Sequence, residues 1–470
     1  MGGLALALRL AHRGHAVTIL EKTGEVGGRN RRETVEDCRF DGGPTLLMML
    51  DPFRKLFADV GERFEDHVKI SLCDPSYRVF YADGKRIDGS PNVARMLPQI
   101  EDLAGAAEAA KYPAFLGEIG QLYHDSIPYF VRKNYNSMAD FAAPAQLARV
   151  LKHRMLGSLG RRIERTFESP YLRMLFSFQT LYLGLSPYDA PWVYATLAYM
   201  EYGEGIWYPQ GGLPAITDAI ADLARARGVT LELNCPVCRI DGNRVHLEDG
   251  RTVTADAVIC NADLPYAQAA LAKKAKPKSY RASCSAFVLY LKVRGDIPEL
   301  EHHNVFFGSD FRGNLDALFR APRQLDDPAF YACISSRSDS TSAPDGFVNL
   351  YVLIPCPNLD TPFDAAEAAH LTECAYQRLE RETSFRRDQV VASKFRSPHD
   401  WLCELNLDRG AAFGISHDLR QSAFMRPSNQ DRENPHLLYV GASTVPGNGL
   451  PMVLISAELA EERLERKGLL

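Results

Sequence analysis

Gly2-Gly3-Leu4-Ala5-Leu6-Ala7-Leu8-Arg9-Leu10-Ala11-His12-Arg13-Gly14, continued by His15-Ala16-Val17-Thr18-Ile19-Leu20-Glu21, is the stretch whose reading decides the fold. Its first half sets Leu4, Leu6, Ala7, Leu8, Leu10 and Ala11 in an apolar helical run, and Gly14 ends it as a glycine C-cap. Ala16 to Leu20 then reads as a short buried strand closed by an acid. Glu21 lies eighteen residues past Gly3, close to where a dinucleotide-binding unit places its ribose-binding carboxylate. Two carboxylate oxygens suit a ribose with free 2′ and 3′ hydroxyls.

Outward from there come Glu21-Lys22, then Gly24-Glu25-Val26-Gly27-Gly28-Arg29, then Phe40-Asp41-Gly42-Gly43-Pro44-Thr45. Glycines let a backbone approach phosphates closely, and Arg29 can offset their charge. The pattern G-x-G-x-x-G normally follows a first strand, and Gly3 fits only its third glycine. The first two glycines and the strand before them are absent from the sequence, and a start codon assigned too far downstream is the expected reason. The plainer reading is a helix and strand of an ordinary α/β domain.

The chain has 470 residues, too many for one simple core, so two or three lobes are expected. Hydrophobic residues make up 46% and charged residues 24%, an ordinary globular balance. A net charge of -5 without a long basic run argues against a nucleic-acid partner. The ten cysteines are scattered; a lone Cys235-x-x-Cys238 on a strand-like segment is weak for metal or redox work, and no metal cluster is legible. Their thiols fit a reducing, cytoplasmic setting. No eighteen-residue apolar run and no signal peptide are present, so the chain is expected to sit on a membrane at most.

Five segments follow from the patterning. Residues 1–88 carry the opening dinucleotide-type signals and a hairpin from Tyr77 to Ile87 turning at Asp83-Gly84. Residues 89–203 are helical and rich in Phe, Tyr, Leu and Met. Within them Arg149, Lys152, Arg154, Arg161, Arg162 and Arg165 interleave with Leu147, Val150, Leu151, Met155, Leu156, Leu159, Ile163 and Phe167. Such a basic amphipathic stretch suits an anionic lipid surface or a solvated face. Residues 204–284 return to dinucleotide-type signals: a turn-rich Gly205 to Gly212, a helix Pro214 to Arg227, short strands, and a strand Ala255 to Cys260 closed by Asn261-Ala262-Asp263. Residues 285–420 alternate strands with one or two helices. Residues 421–470 end in a strand Leu437 to Gly441, a glycine-proline loop and a helix from about Met452.

The run Tyr439-Val440-Gly441-Ala442-Ser443-Thr444-Val445-Pro446-Gly447-Asn448-Gly449-Leu450-Pro451 resembles the C-terminal signature of the bacterial and fungal phytoene desaturase family. Gly205 to Gly212, Asn261-Ala262-Asp263, His302 to Gly308, Ala343-Pro344-Asp345-Gly346 and Pro355-Cys356-Pro357 are similar to that family in the same order. The N-terminal stretch likewise resembles the flavoprotein superfamily of amine oxidases and carotenoid desaturases. Val445 and Asn448 depart from the signature, where the family often has a polar and a small residue.

The resemblance implies an α/β fold with a discontinuous Rossmann-like FAD-binding domain, an inserted helical lobe and a mixed-sheet substrate domain. It implies FAD as cofactor and desaturation of a linear C40 or C30 carotenoid precursor, an apolar polyene. Electrons would pass to quinone or dioxygen, and the enzyme would work on an anionic membrane surface. Glu21 is then expected at the adenosine ribose, Gly27, Gly28 and Arg29 at the pyrophosphate and Val237 at the adenine, with Gly3, Lys22, Pro44, Thr45 and Asn261 also binding the cofactor. Gly441, Ala442, Leu450, Pro451 and Met452 are expected at the ribityl chain and flavin ring. Asp140 is the candidate for handling a proton; its other reading is a helix N-cap before Phe141 and Ala142. Within the resemblance a later-intermediate desaturase, a ketolase, a saturase-type enzyme and a non-catalytic isoprenoid-binding protein stay open.

Overall fold

The start and middle of the chain meet as a parallel pair of strands, Thr18–Leu20 beside Thr230–Glu232, with Ile19 opposite Leu231. Its middle and end meet in the same way, Val258–Cys260 beside Leu437–Tyr439, with Ile259 opposite Leu438. Both pairings come from a computed structural model, which describes residues 1–135 and 137–470. Parallel strands need crossover connections, and helices supply them here. Gly2–His12 and Pro214–Ala226 run into the first pair, while Leu450–Arg466 leaves the second.

These three helices share one apolar cluster, with Leu4 and Leu8 against Ile216, Ile220, Leu454 and Ala457. Leu8 is fully buried, and such a leucine contributes roughly 1.5–3 kcal/mol of transfer free energy. The first helix ends as its sequence predicts. Gly14 takes φ +91, its N–H donates to the Ala11 carbonyl at 3.0 Å, and the His15 N–H reaches back to Leu10 at 3.1 Å. That is a Schellman ending, which leaves few carbonyls unpaired.

The strand after it departs from expectation. It spans three residues, Thr18 is exposed, and Ile19 and Leu20 are only half-buried. The two strand pairs belong to separate sheets among the described residues. A cavity runs between them, lined by Ile19 on one side and Ile259 on the other. One flank of the strand therefore faces open space instead of a neighbour.

The second body is built on a seven-stranded sheet, ordered Val390–Arg396, Ser285–Arg294, Phe347–Cys356, Phe330–Ile334, His303–Phe306, Tyr77–Phe80, Arg86–Gly89. Its ladders are antiparallel except where His303–Phe306 runs parallel to Tyr77–Phe80. The hairpin forms as read, yet it extends this sheet instead of staying with the rest of residues 1–88. Phe80 stacks on Phe306 at 4.4 Å across that parallel seam.

Helices fill most of the span from Val93 to Glu204, packed on Tyr112, Phe115, Phe167, Phe176 and Trp192. The basic stretch is two helices, not one: Pro144–His153 and Leu159–Thr166, parted where Arg154 turns left-handed at φ 51. Val150, Met155, Leu159, Ile163 and Phe167 point into the protein. Arg162 is also held inward, paired with Glu118 and lying 4.2 Å over the Trp192 ring. The apolar stripe read from the sequence is thus mostly core. No helix among the described residues is long and apolar enough to cross a membrane.

Candidate functional site

A continuous cavity of about 1290 Å³ passes from the strand pairs into the helical lobe. Single small-molecule pockets hold about 300–1,000 Å³, so this one has room for two occupants end to end. Fifteen of the sixteen predicted site residues line it: Gly3, Glu21, Lys22, Gly27, Gly28, Arg29, Pro44, Thr45, Val237, Asn261, Gly441, Ala442, Leu450, Pro451 and Met452. They come from six separate stretches of chain.

The charged end is formed by the early loops. Glu21 follows the first strand, and its Oε1 accepts from the Thr23 N–H and hydroxyl, both at 2.9 Å. Gly27 takes φ +116, and a Cβ there would lie 2.6 Å from the Asn30 carbonyl, so only glycine permits the turn. Arg29 is brought to 3.5 Å from Asp263, and burial lowers its pKa against that attraction. Burial also lowers the pKa of the Lys22 ammonium.

Two helix N-termini open onto the same space. Gly3 and Leu4 start one, and Leu450, Pro451 and Met452 start the other. Unpaired amides and the macrodipole make such ends favourable to negative charge. Gly449 precedes the second helix at φ +106, and the Gly441 N–H donates to Ser456 Oγ at 3.0 Å, docking the preceding loop on it.

Beyond that loop the walls turn apolar: Phe178, Leu181, Leu197, Val305, Phe307 and Tyr331 line the far end. Tyr182 also faces it, and its hydroxyl meets that of Tyr77 at 2.5 Å; Tyr77 in turn donates to Glu201 at 3.2 Å. Glu201 is fully buried in the π-turn Met200–Glu204, with Gln179 donating to it at 2.9 Å. Burial outweighs those bonds and raises its pKa to about 8.

Asp140 is the predicted residue that the fold does not bring in. It sits in the first turn of the short helix Met138–Phe141, where it accepts from the Ser137 N–H at 3.2 Å and Ser137 Oγ accepts from its own N–H. Ser137 is the cap; Asp140 completes a capping box. It is not among the described residues that line the cavity.

The sequence reading missed two other residues. Arg426 is buried and donates to the Ala442 carbonyl at 2.7 Å and Thr444 at 3.2 Å, pinning the glycine-proline loop. His417 lines the cavity, and its Nε2 accepts from the Asn448 N–H at 3.3 Å. Burial, then the nearby Arg426 charge, hold it well below the usual histidine range. Each stands alone in the sequence, without a spacing that would mark it.

The family described as flavin containing amine oxidoreductase matches residues 1–337. The chain belongs to that family and is an FAD-dependent oxidoreductase. Among curated proteins it is 40% identical to the zeta-carotene-forming phytoene desaturase of Myxococcus xanthus, over 99% of this chain and 92% of that one. It is 32% identical to the 4,4'-diapophytoene desaturase (4,4'-diaponeurosporene-forming) of Staphylococcus haemolyticus, covering 98% and 96%. Among solved structures, cyclohexylamine oxidase from Brevibacterium oxydans overlays with a TM-score of 0.60 at 15% identity, covering 99% and 97%; that likeness concerns the fold.

Proposed function

We propose that the chain is an FAD-dependent desaturase of a linear carotenoid precursor. The observation that carries this reading is one cavity whose charged, glycine-lined end runs into an apolar, aromatic end past a helix N-terminus. The residues present fit the cofactor. Glu21 would hold the adenosine ribose, with Val237 beside the adenine, while Gly27, Gly28 and Arg29 would attend the pyrophosphate. Gly441, Ala442 and the Leu450–Met452 turn would face the flavin. Bound there, the flavin supplies the acceptor for a hydride from an allylic carbon.

The side chains contribute positioning. Phe178, Leu197, Val305 and Phe307 align an inert chain and exclude water from the reacting carbons. Asp140 receives no part in that proton step, because it stands off the cavity wall. Reduced cofactor would be returned to its oxidised form by quinone or dioxygen.

We place the enzyme on an anionic membrane surface, since a polyene has negligible aqueous concentration. Support comes from Leu147, Leu151 and Leu156, which are 48%, 67% and 56% exposed. Leu156 also lines the cavity, and Lys152, Arg154, Arg161 and Arg165 lie exposed around these leucines in sequence.

The test is expression in cells that accumulate phytoene or diapophytoene, with chromatography of the extracted polyenes and a visible spectrum of the purified protein. Products with added conjugated double bonds, together with a flavin spectrum, are expected. A flavin-bearing protein that leaves both polyenes unchanged would overturn the substrate. A protein without flavin would favour a binding role.

A further inference from the structure

Cys73 ends the strand Ile70–Cys73, and His302 and His303 lie at the start of the strand His303–Phe306. Folding brings them together: the thiol sulfur and one ring nitrogen from each histidine lie within 4.8 Å of one another. All three are buried, Cys73 and His302 at 4% exposure and His303 at zero.

The rings are oriented from behind. His302 Nδ1 meets Ser338 Oγ at 2.7 Å, and His303 Nδ1 meets the Tyr331 hydroxyl at 2.6 Å. Both Nε2 atoms are then buried without a hydrogen-bond partner. Unpaired buried polar atoms are rare, and two side by side call for a reason.

The charge around them points the same way. Asp41 and Asp339 are buried carboxylates. Asp41 accepts only from neutral donors, the Tyr208 hydroxyl at 2.9 Å and the Leu213 N–H at 2.8 Å. Asp339 accepts from the Gly211 N–H at 2.7 Å and from Thr341. Among the described residues neither lies within ion-pair distance of a lysine or arginine, although the Arg32 charge acts on Asp41. Tyr208 packs its ring 4.3 Å from His302, so Asp41 stands just behind the cluster.

We propose that Cys73, His302 and His303 bind a zinc ion. One thiolate and two imidazoles are donors that zinc favours, and each Nδ1 contact to a hydroxyl leaves Nε2 to offer its lone pair. Zinc bonds of about 2.0–2.3 Å set ligand atoms roughly 3.5 Å apart, so binding draws the three donors closer than their present separations of up to 4.8 Å. Binding releases the Cys73 thiol proton to solvent. Zinc with a single thiolate leaves one positive charge, which one ionised carboxylate of the two balances. The site is structural: it fastens the ribbon of Ile70–Cys73 and Ile206–Pro209 to the seven-stranded sheet. Through the Tyr331 hydroxyl it also fixes a ring on the cavity wall.

Elemental analysis of untagged holoenzyme, grown with added zinc salt and purified without chelator, tests this. About one zinc per chain is expected, falling about tenfold or more in the double variant Cys73→Ser/His303→Gln. Cys238→Ser, at an exposed thiol, should keep its zinc. Metal-free wild type, or zinc retained by the double variant, would overturn the proposal. Should the double variant fail to fold, X-ray absorption on wild type decides: one sulfur at about 2.3 Å and two nitrogens at about 2.0–2.1 Å support the site, and a shell without sulfur rejects it.

Discussion

The Gly3 N–H donates to Asn261 Oδ1 at 2.9 Å, across 258 residues of sequence. The same side chain donates from Nδ2 to the Val440 carbonyl at 2.8 Å. One amide thus joins the opening helix, the central strand and the C-terminal strand at the cavity. It satisfies one of the amides that a helix N-terminus leaves unpaired. Gly441 makes this possible, since a Cβ there would lie 2.4 Å from Asn261 Nδ2.

Asn261→Ala removes both bonds and should lower unfolding free energy by about 1–2 kcal/mol. Flavin content after purification should fall with it, because the two loops it joins line the cavity. Asn261→Asp should be worse than alanine: an oxygen would then face the Val440 carbonyl. Urea unfolding and flavin absorbance per protein check both, and an aspartate variant as stable as wild type would refute the joint.

Glu21→Gln keeps the shape of the side chain but weakens the acceptor meant for ribose. A hydrogen bond to a charged group contributes about 1.5–3 kcal/mol, so FAD should dissociate at least tenfold more readily. Turnover of the remaining holoenzyme should change far less, as the reacting end of the cavity lies elsewhere. Equal flavin occupancy in the two proteins would show that the adenosine lies elsewhere.

Fifteen of the sixteen predicted residues line one cavity, and they could be picked out because glycine turns, strand ends and helix starts leave local signatures. Gly14, Gly27 and Gly449 sit where φ must be positive, and the sequence shows each one. Burial across long separations leaves no such mark. Cys73 and His302 are far apart in sequence, and Arg426 gives no hint that it pins a loop sixteen residues on. The basic stretch divides between core and surface for the same reason. Period alone cannot say whether an apolar stripe meets lipid or core, and Trp192 and Glu118 hold Arg162 against the protein surface.

Glu201 gives the molecule a pH dependence of definite sign. Its pKa rises from 4.5 to about 8 on folding, so the folded state binds the extra proton between those values. Stability from this group is complete below about pH 4.5 and is lost as pH climbs through 8, by up to about 5 kcal/mol. Asp41, raised to about 7 by burial, acts in the same direction. Glu201→Gln should lose less stability than wild type between about pH 5 and pH 8. Parallel slopes in urea unfolding across that range would mean that Glu201 stays ionised in the fold.

Membrane docking should depend on the exposed leucines together with the exposed Arg161 and Arg165, and not on Arg162. Leu147, Leu151 and Leu156 stand well out of the surface. Burying one such side chain in the acyl boundary contributes roughly 1.5–3 kcal/mol. Each Lys or Arg near an anionic surface adds about 1 kcal/mol, and salt weakens that share. Leu147→Ser/Leu151→Ser/Leu156→Ser should therefore reduce co-sedimentation with anionic liposomes at both low and high salt. Arg161→Gln/Arg165→Gln should reduce it chiefly at low salt. Arg162 is tied to Glu118 and Trp192, so Arg162→Gln should change membrane affinity less than the double-arginine variant does. Flavin absorbance should stay unchanged in the leucine and double-arginine variants, which confirms that their fold is intact. If the triple-leucine protein sediments like wild type at both salt concentrations, substrate enters through another face.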